Sequence, residues 1–275
     1  MSSEVKTAAA KKQASGFSAL LAAIAIVIAL VIGIIVYHYV LGNPANFVDG
    51  NPDGEPLKGN YLGTVYKGGI IVPILIAVNI SVLIFTVERF ITMSKIKGNG
   101  KLDIFVEKIK GFLAGGDFDA ALSACDKQQG SLANVVRTGL VKYQEVKNDS
   151  ALSKEKKIEN MREDIDQAIA LEGPMMSKNL VVLSTIASVS TLIGLTGTVV
   201  GMIRAFAAMS YGQPDTAELA TGISEALINT VLGIIGAALA IIFYSLFTTK
   251  VDQMTHAMDE ASFAIIQDFS KKVEK

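Results

Sequence analysis

Apolar residues along this chain gather in long blocks rather than in the short amphipathic periods of a water-soluble core. Residues 17–41, 68–93, 180–209 and 219–249 are largely apolar over 25 to 31 positions apiece, more than the roughly 20 that a helix needs to cross a bilayer. The first block has no formal charge and ends near Tyr37 and Tyr39, residues suited to the membrane interface. It is too long for a signal peptide and shows no small-residue cleavage site, which predicts an uncleaved outer helix facing lipid. In the second block Pro73 predicts a kink, Asn79 needs an interhelical partner, and Glu88-Arg89 read as charges at the membrane boundary. Only nine residues, Ser210 to Glu218, separate the third block from the fourth, so Leu180–Thr249 is expected as a transmembrane hairpin.

Between the blocks the pattern changes. Residues 42–67 hold Pro44, Pro52 and Pro56 with Gly54, Gly59 and Gly63, the composition of a loop. Residues 94–179 mix lysines and acids with apolar residues at helical spacing. Leu102, Phe105, Ile109 and Phe112 mark one helix. Asp117-Phe118 opens a second over Ala120–Lys127. Ser131 is expected to cap a third running to Val146, and Ser153 a fourth to Leu171, with breaks at Gly115-Gly116 and Gln129-Gly130. Residues 1–16, 94–179 and 250–275 carry nearly all the lysine and arginine. The 42–67 loop has only Lys58 and Lys67 against three acids, and the 210–218 turn has none. By the positive-inside rule this predicts four spans with both tails and the helical 94–179 region cytoplasmic, and with 42–67 and 210–218 periplasmic. The expected fold class is an all-α membrane protein.

Composition agrees and narrows the chemistry. The 275 residues are 51% hydrophobic with a formal charge of −1, which favours neither nucleic acid nor an acidic substrate. A single cysteine, Cys125, leaves no internal disulfide. His38 and His256 lie too far apart in sequence to suggest a metal cluster. Phosphate-loop, HExxH and nucleophile-elbow motifs are missing, so no enzyme and no cofactor is expected. Gly98-Asn99-Gly100-Lys101 reads as a linker.

Polar residues inside the hairpin carry the functional argument. Thr198 lies twelve residues from Ser210 and Thr230 twelve from Glu218, which puts both hydroxyls about 18 Å from the turn, level with each other. Glu225 lies roughly 10 Å in, with Arg204 at nearly the same depth on the other arm. A lone carboxylate there costs up to a few kcal/mol, so Glu225 should face protein or water. On the third span Ser184, Ser188, Thr191, Leu195 and Thr198 share one side, and Gly194, Gly197, Gly201, Ala205 and Ala208 an adjacent one. The fourth repeats this with Gly222, Glu225, Asn229, Gly233, Gly236 and Ala240. Small-residue stripes let helices approach closely. Repeated around an axis, such helices form a ring with hydroxyls inward and small faces at the seams. Glu225 and Thr230 are about 140° apart on an ideal helix, so one narrow pore line does not hold both. The competing expectation is a structural hairpin whose hydroxyls bond back to their own helix carbonyls.

LSTIASVSTLIGLTGTVVGMIRAF and ISEALINTVLGIIGAALAI resemble the two motif helices of the MotA/TolQ/ExbB proton-channel family, through GTVxGM, a short loop, then EAL, two residues and Thr. GDFDAALSACDKQQGSLANVVRTGL and VERF resemble its cytoplasmic helices and the end of its preceding span. The first span and its loop fall outside the likeness. The resemblance implies an ExbB-like subunit of a pentamer in the inner membrane of a Gram-negative bacterium. The pentamer would surround the single-span helices of an ExbD-like partner whose membrane aspartate takes up and releases protons. Proton flow would then drive a TonB-like protein. Thr198 and Thr230 look like the family's pore threonines and Glu225 like its pore glutamate, with Asn229 beside them. Four spans are more like a flagellar stator subunit, yet stators usually carry prolines in or beside the last two spans at positions where this chain has none. Arg204 is unusual at its depth, and its place on the glycine side suggests a pair with Glu225 of a neighbouring subunit. A TolQ-like or a flagellar or gliding stator subunit is the alternative within the family. A structural membrane scaffold is the alternative outside it, although a scaffold gives no reason for Glu225.

Overall fold

The computed structural model describes residues 22–147, 152–210 and 216–273. These residues are overwhelmingly helical, with one isolated antiparallel bridge between Phe47 and Pro56. Four helical stretches are long and apolar enough to cross a membrane. The helices are α1 (Ala22–Leu41), α2 (Tyr61–Tyr66), α3 (Val72–Lys97), α4 (Leu102–Gly115), α5 (Phe118–Gln128), α6 (Gly130–Lys147), α7 (Lys154–Ser177), α8 (Leu180–Ser210) and α9 (Thr216–Val273). They divide into two compact units. One comprises the described residues up to Thr86 together with Val182–Phe243, and the other Val87–Val181 with the C-terminal residues from Tyr244.

In the first unit α1 exposes Val27, Ile28, Val31 and Ile35 and approaches α3 at Gly33, where a Cβ would lie 2.6 Å from the Pro73 carbonyl oxygen. Pro73 does not kink α3. It falls in the first turn, where the missing N–H costs nothing. The 42–67 segment, expected as a plain loop, is ordered around Asn46 and an aromatic cluster. The buried Asn46 amide donates to the Val40 and Leu41 carbonyls at 2.8 and 2.9 Å, and its oxygen accepts from Asn60 at 3.1 Å. Asn60 caps α2. Tyr37 is not a free interfacial ring: it stacks on Tyr66 with centroids 4.6 Å apart and donates to the Tyr66 carbonyl at 3.2 Å. Asn79 donates to Leu75 O at 2.8 Å and Leu232 O at 3.3 Å, which joins α3 to α9.

In the second unit the four helices expected over 94–179 are present. Asp117 and Ser153 cap α5 and α7 by accepting from Ala120 N and Lys156 N, and Gly116 ends α4 in the left-handed conformation with φ 74°. Ser131 is not a cap. The helix begins at Gly130, and the Ser131 hydroxyl donates instead to Glu172. Of residues 250–275, expected as a tail, 250–273 continue α9. Met254, Met258, Ala261, Ile265 and Phe269 recur every three or four positions and are all buried. Tyr143 meets Phe269 edge-on at 4.9 Å and donates to Asp268 at 3.1 Å. Arg89, read from sequence as an interfacial charge, is fully buried and forks onto Glu88 with two bonds of 2.9 Å.

Candidate functional site

The α8–α9 seam is built from glycines, and it closes within one chain. A Cβ on Gly197 would lie 2.4 Å from Asn229 Cβ, one on Gly201 2.7 Å from Ala226 N, and one on Gly194 3.0 Å from Gly233 Cα. Gly233 meets Gly194 and the Ser190 carbonyl in return, and Gly236 meets Ser190 and Asn79. Expectation had put these faces at seams between subunits. The structure places them between the two arms of the same hairpin, because only hydrogen atoms fit where the backbones cross. Ser190, not singled out by sequence, donates to Gly233 O at 2.9 Å and fastens the crossing.

Thr198 and Thr230 come together across this seam. Their hydroxyls are within hydrogen-bond reach of each other. Thr198 Oγ1 also reaches Gly194 O at 3.2 Å and Ala226 O at 3.4 Å, and Thr230 Oγ1 reaches Ala226 O at 3.2 Å. Two hydroxyls own two protons, so they cannot make all four of these contacts as separate hydrogen bonds at once, and either hydroxyl can be the donor between the two threonines. Both side chains are half-buried. The back-bonding expected of a purely structural hairpin and the level hydroxyl pair expected of a conduit therefore coexist.

Glu225 is nearly closed off. Its side chain is 5% exposed, and Arg204 Nη1 lies 2.7 and 2.8 Å from its two carboxylate oxygens. The pair forms inside one chain, where expectation had set Arg204 against a neighbouring subunit's Glu225; the equal depths on adjacent arms bring them within reach. The head of α3 supplies the wall behind the carboxylate. Gly69 adopts φ +78°, and a Cβ there would stand 2.1 Å from Glu225 Oε1, so only glycine fits. A sequence clue was available in the Gly68-Gly69 doublet at the start of the second apolar block. Asn229, expected along the pore, is instead fully buried. Its amide donates to Gly68 O at 2.9 Å, and its Oδ1 has no hydrogen-bond partner among the described residues.

Near the beginning of α9 a cavity of about 440 Å³ is lined by Asp53, Glu55, Thr64, Lys67, Glu218 and Ser224. Lys67 donates to the Pro52 and Asp53 carbonyls, each at 2.9 Å. Burial lowers its ammonium pKa, and the Asp53 charge opposes that shift. Among the described residues no group of three or more His, Cys, Asp or Glu is placed to hold a metal ion.

Spanning helices, a glycine-seamed hairpin and paired hydroxyl and ionic groups at span depth define a class: all-helical membrane proteins with polar chemistry inside their spans. Residues 127–260 match the sequence profile of the MotA/TolQ/ExbB proton channel family, which places that part of the chain in the family. It is 32% identical over 113 residues to the biopolymer transport protein ExbB-like 3 of a Synechocystis strain, covering 40% of this chain and 50% of that relative. It is 27% identical over 197 residues to the Tol-Pal system protein TolQ of Haemophilus influenzae, covering 70% of this chain and 86% of that one. To the biopolymer transport protein ExbB of Pseudomonas putida it is 31% identical over 111 residues, or 40% of this chain and 34% of that protein. The chain thus spans half or less of the length of the two ExbB-named relatives and most of the TolQ.

Proposed function

We propose that this chain is the multi-span subunit of a proton-driven energiser, an ExbB-like protein whose ring surrounds the single-span helices of an ExbD-like partner and works a TonB-like protein. In this reading the chain lies in an inner membrane with both termini and the 94–179 helices cytoplasmic. The observation that carries it is the Thr198–Thr230 hydroxyl pair joining two spans inside a membrane-length hairpin. The pair offers a partner's carboxylate alternating donors without a fixed charge of its own. Glu225, matched to Arg204, keeps a charged pair at span depth without leaving a net charge in the bilayer. Each proton crossing supplies about 2.3 kcal/mol per 100 mV, enough for stepwise mechanical work when several are coupled.

A second reading, a TolQ-like subunit, stands beside it, because a TolQ matches over 197 residues and an ExbB homologue of Methanothermobacter thermautotrophicus over 198, each at 27% identity, so length of match does not separate the two. The discriminating experiment is co-purification with the product of each single-span partner gene, followed by proton flux in proteoliposomes. Thr198→Val with Thr230→Val should co-purify with the partner at wild-type stoichiometry and lose most of its flux. Undiminished flux in that double variant rules out a hydroxyl relay, and loss of assembly assigns the pair to packing.

A further inference from the structure

We propose that the second unit carries a binding site for the head group of an anionic phospholipid, formed where α3 and α9 end their apolar runs. The site is independent of the ion pathway and rests only on α3 and α9 being membrane spans. A groove of about 280 Å³ lies between the two helices, lined among others by Phe90, Met93, Lys97, Lys250, Gln253 and Met254. Its floor is apolar and its polar groups include two ammoniums from different helices. No carboxylate lines it, and among the described residues neither lysine has an ion-pair partner.

Lys250 is held in place. Its Nζ stands 5.1 Å from the Phe90 ring centre and 6.0 Å from that of Phe247, so both ring faces attract the cation. An ordered ammonium above an apolar floor suits a phosphodiester whose other end is hydrocarbon. A free phosphate would lie against Phe90, Met93 and Met254 with nothing to gain from them. The acyl chains have a path as well, since Val87, Phe90 and Leu246 are 58%, 47% and 51% exposed on the same two helices. Lysines directly beyond a span attract anionic lipid at about 1 kcal/mol each. Lys97 and Lys250 together therefore predict about a thirtyfold preference over a zwitterionic head group.

The test uses the full chain in detergent, delipidated and titrated with phosphatidylglycerol or phosphatidylcholine, with bound lipid counted by native mass spectrometry. Wild type should retain phosphatidylglycerol at concentrations where phosphatidylcholine is lost. Lys97→Gln with Lys250→Gln should weaken that retention about thirtyfold. Ser94→Trp, an exposed position on the groove wall, should block the lipid with both charges intact, and it decides the matter alone if the double variant does not fold. Lys101→Gln with Lys127→Gln removes equal charge outside the groove and should change nothing. Equal retention by the Lys97/Lys250 or Ser94→Trp variant, an equal loss in the control, displacement by millimolar inorganic phosphate or equal retention of phosphatidylcholine would each overturn the site.

Discussion

Glu225 sets the energetics at the scale of single residues. A carboxylate at span depth is tolerable because Arg204 matches its charge, and the match requires room behind it, which Gly69 provides. Two neighbouring glycines at the head of α3 therefore differ in their tolerance. Gly69→Ala forces a side chain into the left-handed region and against a carboxylate oxygen, for a loss of about 2 kcal/mol or more. Gly68 has an ordinary helical φ, and a Cβ there would stand 2.5 and 2.8 Å from the Val72 and Ile228 Cγ2 methyls and 3.1 Å from the Val65 carbonyl oxygen. Gly68→Ala therefore requires repacking of those methyls but carries no left-handed backbone strain, and should cost less than Gly69→Ala. Thermal unfolding of the two variants in detergent, followed by circular dichroism, checks the order; equal midpoints would remove Gly69 from the site. Glu225, Arg204, Thr198 and Thr230 were legible in the sequence because charges and hydroxyls stand out in an apolar span. Which partner each one meets was not, since depth along a helix says nothing of whether the facing group belongs to the same chain. Asn229 shows the same gap: its polarity suggested a lumen, while its burial between α8, α9 and Gly68 makes it a fastener.

At the scale of elements, the hairpin stands on its glycine crossing. Leucine at Gly197 would collide with the Asn229 side chain of the same molecule. The expected outcome is a misfolded, aggregating product rather than a well-behaved dissociated subunit, measured as loss of the monodisperse peak in size-exclusion chromatography. A folded monomer would instead assign that face to a subunit contact. The second unit depends equally on the last part of α9. Phe269 is fully buried against Tyr143, so Phe269→Ala should destabilise it by about 3–5 kcal/mol, read from denaturant melts of near-ultraviolet tyrosine signals. The helices of 94–179 were readable because capping residues and glycine stops mark their ends. The C-terminal stripe was overlooked because its small and sulfur-containing residues, Ala261, Met254 and Met258, signal burial weakly beside so many charges. The 42–67 segment hid its order in long-range contacts, Asn46 with Asn60 and Tyr37 with Tyr66, that composition does not display.

For the molecule as a whole the open question is which segments face which compartment, and Cys125 makes it experimentally simple. It is the only cysteine. Burial lifts its thiol pKa from 9.0 to about 12, so near neutral pH the folded protein holds roughly a thousandfold less thiolate there than an unfolded chain. Introduced cysteines at Asn51 and Lys108 should therefore label against a silent background, the first from the periplasmic side and the second from the cytoplasmic side. Labelling from one side only would undo the four-span arrangement. The linkage has a definite sign: unfolded chains ionise Cys125 first, so this residue's contribution to stability falls as pH rises from about 9 towards 12. The Arg204–Glu225 pair also constrains how the protein is made. During synthesis Arg204 leaves the ribosome 21 residues ahead of its counter-ion, and a solitary arginine inside a span is unfavourable to insert, by up to about 2.5–3.5 kcal/mol at the centre and by less at the depth of Arg204. The first arm is therefore best retained at the translocon until the second emerges, and the two arms enter the bilayer as one electroneutral cargo.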